Sequence, residues 1–95
     1  MISRRELTDS FDGIVKQWDK DIEGLEQVLD SVKDDMQDEY KGKIDILKEQ
    51  KESVQKNLKK VAEAGEEELQ DLRDKMETAE EKFEETLEDI EDKFQ

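Results

Sequence analysis

Hydrophobic residues recur at steps of three and four along almost the whole chain, from Leu7 to Phe94, with charged residues between them. Steps of this size place side chains on one face of an α-helix, because the helix turns once in about 3.6 residues. The chain contains no proline to interrupt such helices. The pattern therefore predicts an all-α fold with an apolar stripe along each helix.

Steps of four often follow one another, so the stripe repeats better every eleven residues than every seven. One column of the repeat contains the following residues: Leu25, Met36, Leu47, Leu58 and Leu69. Eleven residues in three turns give about 3.67 residues per turn, close to the unstrained α-helix. The repeat predicts a coiled coil of nearly straight helices.

A helix start is predicted at residue 4. Ser3 and Glu6 have the spacing of a capping box, in which each side chain bonds the free amide of the other residue. Ile2 and Leu7 fit the hydrophobic positions on either side of this box.

A turn is predicted at Gly65. Lys59 and Lys60 precede it, where the negative end of a helix dipole favours cations, and three glutamates follow it, where the positive end favours anions. Glycine can take the left-handed conformation that closes many helices. We therefore predict a long antiparallel helical hairpin. The hairpin is a single domain, residues 1–95. Its two helices span residues 4–64 and 66–94.

Two alternatives stay open. One is a single continuous helix in an oligomeric coiled coil, and the other is a three-helix bundle with a second bend near Gly42. The charges around Gly42 oppose the helix dipole at a break there, because acids precede it and Lys41 and Lys43 flank it. The preferred prediction keeps the first helix running through Gly42.

Charge supports the hairpin. Residues 41–64 carry 7 basic and 4 acidic groups, whereas residues 66–95 carry 4 basic and 14 acidic groups. A turn at Gly65 lays the acidic segment against the basic one, and such complementarity selects orientation and partner.

The hairpin leaves residues 4–35 as an overhang with a wide apolar face, which is unfavourable in water. We therefore predict an antiparallel homodimer or a higher helical bundle in which overhangs pair. The residues predicted to self-associate are Phe11, Ile14, Trp18, Ile22, Leu25, Leu29 and Val32.

The composition is 32% hydrophobic and 48% charged, with a formal net charge of −14. It is typical of long helices with a narrow apolar seam, although it also lies near that of chains disordered in isolation. The acidic balance argues against nucleic acid and anionic membranes as partners. A basic protein is the partner that the acidic run 80–92 would take. The start carries no apolar signal region, so the predicted location is cytoplasmic.

The chain has no histidine, no cysteine and no glycine-rich phosphate loop. Its carboxylates are many, but catalytic carboxylates need a pocket that shifts their pKa, and a narrow bundle offers none. The sequence predicts no enzyme, no catalytic residue and no cofactor.

One segment has the outline of a calcium-binding EF-hand loop, with glycine at the sixth place. Its candidate ligands are Asp19, Asp21, Glu23 and Asp30. The match is poor, because Glu26 stands where the motif has an apolar residue and the apolar stripe stays in phase through the segment. A solvated acidic helix face is the preferred interpretation.

The chain resembles a group of short, uncharacterised bacterial coiled-coil proteins. The residues that carry the resemblance are Trp18-Asp19-Lys20-Asp21-Ile22, Leu25, Tyr40, Ile44, Leu47-Lys48, Lys51, Leu58, Val61, Ala64-Gly65-Glu66, Asp71-Leu72-Arg73 and Ala79. Members often carry an aromatic residue soon after the central turn, where this chain has Leu69. The resemblance implies a small soluble helical protein and brings no activity or cofactor with it.

Taken together, these patterns predict a non-enzymatic structural or interaction protein that self-associates through helix packing. The alternatives are a helical protein that binds lipid surfaces through an amphipathic face, and a weak calcium-binding protein.

Overall fold

The computed structural model describes residues 3–94, and this part of the chain forms three helices packed side by side. They are α1 (Arg4–Val28), α2 (Gln37–Val61) and α3 (Glu66–Phe94). The helices run up, down and up, so α1 and α3 are parallel and α2 is antiparallel to both. The bundle measures 49 × 17 × 17 Å. The all-α prediction is confirmed.

The predicted start of α1 is confirmed. The backbone N–H of Glu6 donates to Ser3 Oγ at 3.4 Å, and Ser3 itself has an extended backbone. The N–H of Leu7 donates to the Ser3 carbonyl at 3.0 Å, which is the first backbone bond of the helix. These bonds satisfy donors that a helix start otherwise leaves free. The predicted role of Ile2 lies outside the described residues.

The predicted helix over 4–64 is wrong, because α1 ends at Val28 and α2 begins at Gln37. The α1–α2 connection, residues 29–36, consists of two short 3₁₀ turns with Val32 and Lys33 extended between them. The continuous-helix alternative is wrong for the same reason. A three-helix bundle does form, but its extra bend lies in this connection and Gly42 lies inside α2.

Side chains of α2 stabilise the break by binding carbonyls at the end of α1. The Gln37 amide donates to the carbonyls of Leu29 and Val32, at 3.4 and 3.0 Å. The Tyr40 hydroxyl donates to the Leu25 carbonyl at 2.8 Å. The start of α2 is rich in Asp and Glu, which the positive end of its dipole favours. The connection thus ends one helix and starts the next without glycine or proline.

The Tyr40 hydrogen bond has a testable contribution. Tyr40 is 1% exposed, and burial raises the pKa of its hydroxyl. Replacing Tyr40 with phenylalanine keeps the ring but leaves the Leu25 carbonyl without this donor, so we expect a loss of about 0.5–1.5 kcal/mol in the free energy of unfolding. Urea denaturation measures the loss. The matched control is Phe94→Leu, which leaves the hydrogen bond intact while changing the edge-to-face contact of Phe94 with Tyr40.

The chain turns between α2 and α3 where Gly65 predicted it, but the left-handed conformation is wrong. Among the described residues no glycine has a positive φ. The end of α2 tightens instead, with the N–H groups of Glu63 and Ala64 bonding carbonyls three residues back. The Gly65 carbonyl accepts the first backbone bond of α3 from Leu69, at 2.9 Å. Gly65 therefore caps the start of α3 and does not close α2.

The buried positions of α3 repeat every seven residues, whereas those of α1 begin with the steps of four, four and three that an eleven-residue repeat contains: Leu7, Phe11, Val15 and Trp18. In α3 the buried positions alternate at steps of three and four: Leu69, Leu72, Met76, Ala79, Phe83, Thr86 and Ile90. This is the spacing of helices that pack along their length against neighbours in a bundle. The eleven-residue column from Leu25 to Leu69 does not follow a single helix face. It crosses the connections between α1 and α2 and between α2 and α3, where the direction of the chain reverses.

The predicted overhang does not exist, because α1 folds back onto α2. Its aromatic and aliphatic side chains Phe11, Trp18, Ile22 and Leu25 are buried inside the single chain. Three others, Ile14, Leu29 and Val32, are partly buried against the same core. Trp18 stacks on Phe83 of α3, with ring centres 4.1 Å apart and planes 7° from parallel. The apolar face that predicts a homodimer thus packs against other helices of the same chain.

Candidate interaction surface

Ion pairs join α2 to both of its neighbours. Toward α1, Lys48 contacts Glu26 at 3.3 Å and Lys51 contacts Asp19 at 2.5 Å. The sequence predicts that the basic segment 41–64 pairs with the acidic last helix. These two lysines instead pair with acids of α1, so the prediction describes only some of the ion pairs. Exposed pairs of this kind contribute about 0–1 kcal/mol each, so they orient the helices more than they stabilise them.

Toward α3, Lys43 contacts Asp89 at 3.2 Å. A pair of the opposite sense, Lys93 of α3 with Glu39 of α2, lies at 3.0 Å. The hydrogen bond and the charge of Glu39 raise the pKa of Lys93. Both sides of α2 are thus electrostatically matched to the helix beside them.

The boundary between α1 and α3 differs from the other two. Within residues 3–94, no salt bridge joins these two helices. The stacked rings of Trp18 and Phe83 connect them in the core. The Arg4 guanidinium also donates to the Ala64 carbonyl, which ties the start of α1 to the turn before α3. Apolar packing stabilises this boundary. Among the described residues, the charged side chains along it form no salt bridge from α1 to α3.

Helical spacing places the residues along this boundary. Asp19 and Glu26 lie on the side of α1 that faces α2. Asp89 and Lys93 lie on the side of α3 that faces α2. The opposite flanks of the two helices border each other, and we call them the α1–α3 seam. By the same spacing its residues are Ile14, Asp21 and Val28 on α1, and Arg73, Glu80, Glu84, Leu87, Glu91 and Phe94 on α3. Arg73 is paired with Glu77 of its own helix.

The α1–α3 seam combines incompletely buried apolar groups with carboxylates. Ile14, Leu87 and Phe94 pack only partly against the core. Val28 is 42% exposed, the one large hydrophobic residue in the described chain that is so open to solvent. Glu84 and Glu91 are exposed, and Glu80 is half-buried beside them. An apolar strip edged by acids is a surface that an amphipathic partner can cover.

Glu80 lies in an unfavourable electrostatic environment. Partial burial raises the pKa of its carboxyl, and the negative charges of Glu84, Glu77 and Glu81 raise it further. A pKa raised by folding means that ionised Glu80 opposes folding at neutral pH, and protonation below its folded pKa relieves this cost. A cation placed beside Glu80 would relieve the same repulsion. Glu81, Glu84, Glu85 and Glu88 line an adjacent surface groove of about 220 Å³.

Another groove, of about 390 Å³, lies between α2 and α3 on the side away from α1. It is lined mainly by amide, hydroxyl and charged side chains, including Asn57, Asp71 and Lys75. Asn57 is one of two buried polar residues, and every buried side-chain N or O atom in the described chain has a hydrogen-bond partner. This groove is lined by side chains that can form hydrogen bonds, with Ala79 at its base.

The EF-hand candidates do not form a loop. Asp19, Asp21 and Glu23 lie within α1, where residues two apart point to opposite sides of the helix. Asp30 lies in the first 3₁₀ turn, and Asp19 is already paired with Lys51. The described part of the chain contains no group of three or more His, Cys, Asp or Glu residues arranged to hold a metal ion. Residues 19–28 of this segment are helical, and their interpretation as a solvated acidic face stays a prediction.

The apolar stripe that suggested lipid binding is the core of the bundle. Between residues 3 and 94, no helix is both long enough and apolar enough to cross a bilayer.

In comparisons with protein-family models, curated proteins and solved structures, the chain shows no significant match to any of them. The resemblance to short bacterial coiled-coil proteins stays a prediction.

Sequence reasoning found part of this surface. The acidic run 80–92, for which a solvated face is the first interpretation and a basic partner the alternative, supplies the α3 side of the seam. The neighbouring α1 residues were missed, because α1 was expected to extend away from α3. The pairing of Lys48 and Lys51 with acids of α1 is a signal that a search for complementary charges between 19–26 and 48–51 would have detected.

Proposed function

We propose that this protein is a non-enzymatic interaction module that binds a basic, amphipathic helix of a partner protein along the α1–α3 seam. The observation that carries the proposal is the asymmetry of the three helix boundaries. Both boundaries of α2 have ion pairs across them, whereas the α1–α3 boundary has carboxylates and no cross-helix cation within residues 3–94.

The partner would act as a fourth helix. Its apolar side would cover Val28, which is exposed to solvent, and Leu87 and Phe94, which are only partly buried. Its lysines and arginines would lie beside Glu80, Glu84 and Glu91. Apolar cover supplies affinity, and charge complementarity supplies orientation and a fast encounter.

Charge also favours a basic partner over the other candidates. The α3 segment holds 14 acidic and 4 basic residues, and two of the four cations, Arg73 and Lys93, are engaged by Glu77 and Glu39. Nucleic acid and anionic lipid would be repelled by the same surface. Self-association stays a prediction, but the overhang that motivated it is not part of this fold.

Binding of a lysine-rich amphipathic peptide with a fluorescent label tests the proposal by anisotropy. Reversing the charge of the seam with Glu80→Lys, Glu84→Lys and Glu91→Lys is expected to weaken binding about tenfold or more, because three attractive charge pairs with the partner become repulsive. The matched control is Asp45→Lys, Glu49→Lys and Glu52→Lys on the exposed face of α2.

Both triple variants have the same net charge, so diffuse attraction affects them equally. We expect the α2 triple to keep peptide affinity within about threefold of the original, since its changes lie away from the partner. Equal weakening by the two triples would show nonspecific attraction and would contradict the seam. Binding to anionic vesicles without binding to the peptide would favour the lipid alternative. Circular dichroism checks that both variants stay folded.

A further inference from the structure

Two residues of the α1–α2 connection, Val32 and Lys33, have an extended backbone. Val32 has φ −79° and ψ 139°, and Lys33 has φ −56° and ψ 141°. The residues on either side form 3₁₀ turns, Leu29–Ser31 and Asp34–Met36, in the right-handed helical region, where Met36 departs from α-helical angles with φ −109° and ψ −8°. Rotation of ψ at Val32 and Lys33 is therefore the main change needed to join the two helices.

The α1–α2 connection has a sequence that tolerates this change. Residues 29–36 contain no glycine and no proline. The apolar residues through the connection are separated by steps of four, three, four and four: Leu25, Leu29, Val32, Met36 and Tyr40. Such steps keep the apolar side chains on one face if the segment becomes helical. This continuity is also why the sequence predicts a helix over 4–64.

The contacts that hold α1 in the bundle do not depend on its covalent connection. They include the Trp18–Phe83 stack, the Asp19–Lys51 and Glu26–Lys48 ion pairs, and the apolar packing of buried α1 residues. A second copy of the chain presents the same α2 and α3 surfaces. The α1 helix of one molecule can therefore make every one of these contacts with another molecule. The hydrogen bonds from Gln37 to the Leu29 and Val32 carbonyls belong to the connection and are lost when it becomes helical.

We propose that this protein exchanges α1 between two copies and forms a domain-swapped dimer. In the dimer, residues 4–61 of each chain form one helix about 87 Å long at 1.5 Å per residue. The two long helices run antiparallel, and each α1 half packs on α2 and α3 of the other copy. The exchange is reciprocal, so the assembly closes as a twofold dimer.

The two α1–α2 connections meet at the centre of this dimer. Val28, which is 42% exposed in the monomer, and the partly buried Leu29 and Val32 gain apolar neighbours there. Opposing this gain, Asp30, Asp34 and Asp35 of the two copies approach one another. Salt screens repulsion between exposed charges, so high ionic strength favours the dimer.

The α1–α2 connection can be biased in either direction. Lys33→Pro fits the monomer, because φ at Lys33 is near that of proline and the extended Val32 suits a residue before proline. The same proline blocks a continuous helix. Lys33→Gln removes the same charge without this block and is the matched control. The double variant Val32→Leu with Lys33→Ala raises helix propensity at the two extended positions.

The variants are refolded from urea at high protein concentration and measured by size-exclusion chromatography with light scattering, at low and high salt. We expect the double variant to raise the association constant about tenfold over the original chain, since two residues in each of two copies become better helix formers. The original chain and Lys33→Gln should form dimer in proportion to concentration and salt. The Lys33→Pro variant should stay monomeric.

A crosslink distinguishes exchange from simple docking. The chain has no cysteine, so Asp19→Cys and Lys51→Cys can each be introduced alone. The two single-cysteine proteins, both carrying the double change in the connection, are refolded together and treated with a short bismaleimide. Exchange predicts a covalent heterodimer joining 19 to 51, because these positions contact each other across the α1–α2 boundary. The same pair with Lys33→Pro should give none.

Three results would overturn the exchange: a double variant that stays monomeric, a dimer of the double variant without the 19–51 crosslink, or a Lys33→Pro variant that dimerises as well as Lys33→Gln. Circular dichroism of Lys33→Pro at low concentration confirms that its monomer is folded, so its failure to dimerise reports on the connection.

Discussion

Replacing Phe83 with alanine is expected to lower the free energy of unfolding by about 3–5 kcal/mol, the range found for large-to-small changes of buried aromatic residues. Phe83 is 0% exposed and lies at the centre of α3. It packs flat on Trp18, the main aromatic link between α1 and α3. Since domains of this size have about 5–15 kcal/mol in total, the variant should be close to unfolding at room temperature.

The single tryptophan gives this prediction a local reporter. Urea denaturation is followed by Trp18 fluorescence and by far-ultraviolet circular dichroism, which reports all three helices. Phe83→Leu is the milder control and should cost less than Phe83→Ala, because leucine leaves a smaller cavity. Phe94→Ala, at the partly buried end of α3, should also cost less than Phe83→Ala. Equal losses at positions 83 and 94 would contradict the central position of Phe83 in the core.

Two helix starts were predictable from local chemistry. Ser3 lies where a hydroxyl can accept an amide of the first turn, and Gly65 lies between a cationic helix end and an acidic helix start. These signals act over a few residues and do not depend on the rest of the fold. The apolar stripe likewise predicted most of the core, because any amphipathic helix buries its apolar face.

The break between α1 and α2 was not predictable by the same rules. The stripe stays in phase through residues 29–36, and no glycine or proline marks the bend. What stabilises the bend is tertiary: the Gln37 amide and the Tyr40 hydroxyl bind carbonyls that become accessible only when α1 ends. The acidic start of α2 is a local signal of the same kind as the one at Gly65, but these acids enter the sequence prediction only as an argument against a bend at Gly42.

The eleven-residue period predicted for the core depends on the same continuity of the helix. An eleven-residue column that spans Leu25 to Leu69 presumes one uninterrupted helix, and it loses its meaning once two breaks are present. Within α3 alone the seven-residue spacing is regular from Leu69 to Ile90. The α1–α3 seam was out of reach for the same reason, since only the fold places Val28 and Phe94 at the same end of the bundle.

Replacing the three glycines inside helices with alanine is expected to stabilise the bundle substantially. Gly13 and Gly24 lie within α1 and Gly42 within α2. An added Cβ would meet no other atom within 4 Å at any of the three. Each change should add about 0.8–1 kcal/mol, because alanine loses less backbone freedom on folding and exposes less backbone to water. The triple variant should gain about 2.5–3 kcal/mol, since the positions are far apart and additive.

Thermal unfolding measures this gain, which corresponds to a rise of about 10–24 °C in the midpoint at about 4–8 °C per kcal/mol. Gly65→Ala is the matched control, because it too has a φ that alanine tolerates and open space around an added Cβ. Its expected effect has the opposite sign: Gly65 caps α3, and glycine is preferred to alanine at that position. A gain at Gly65 as large as those inside the helices would therefore show that position 65 belongs to a helix interior, and that the chain does not end one helix and start another there.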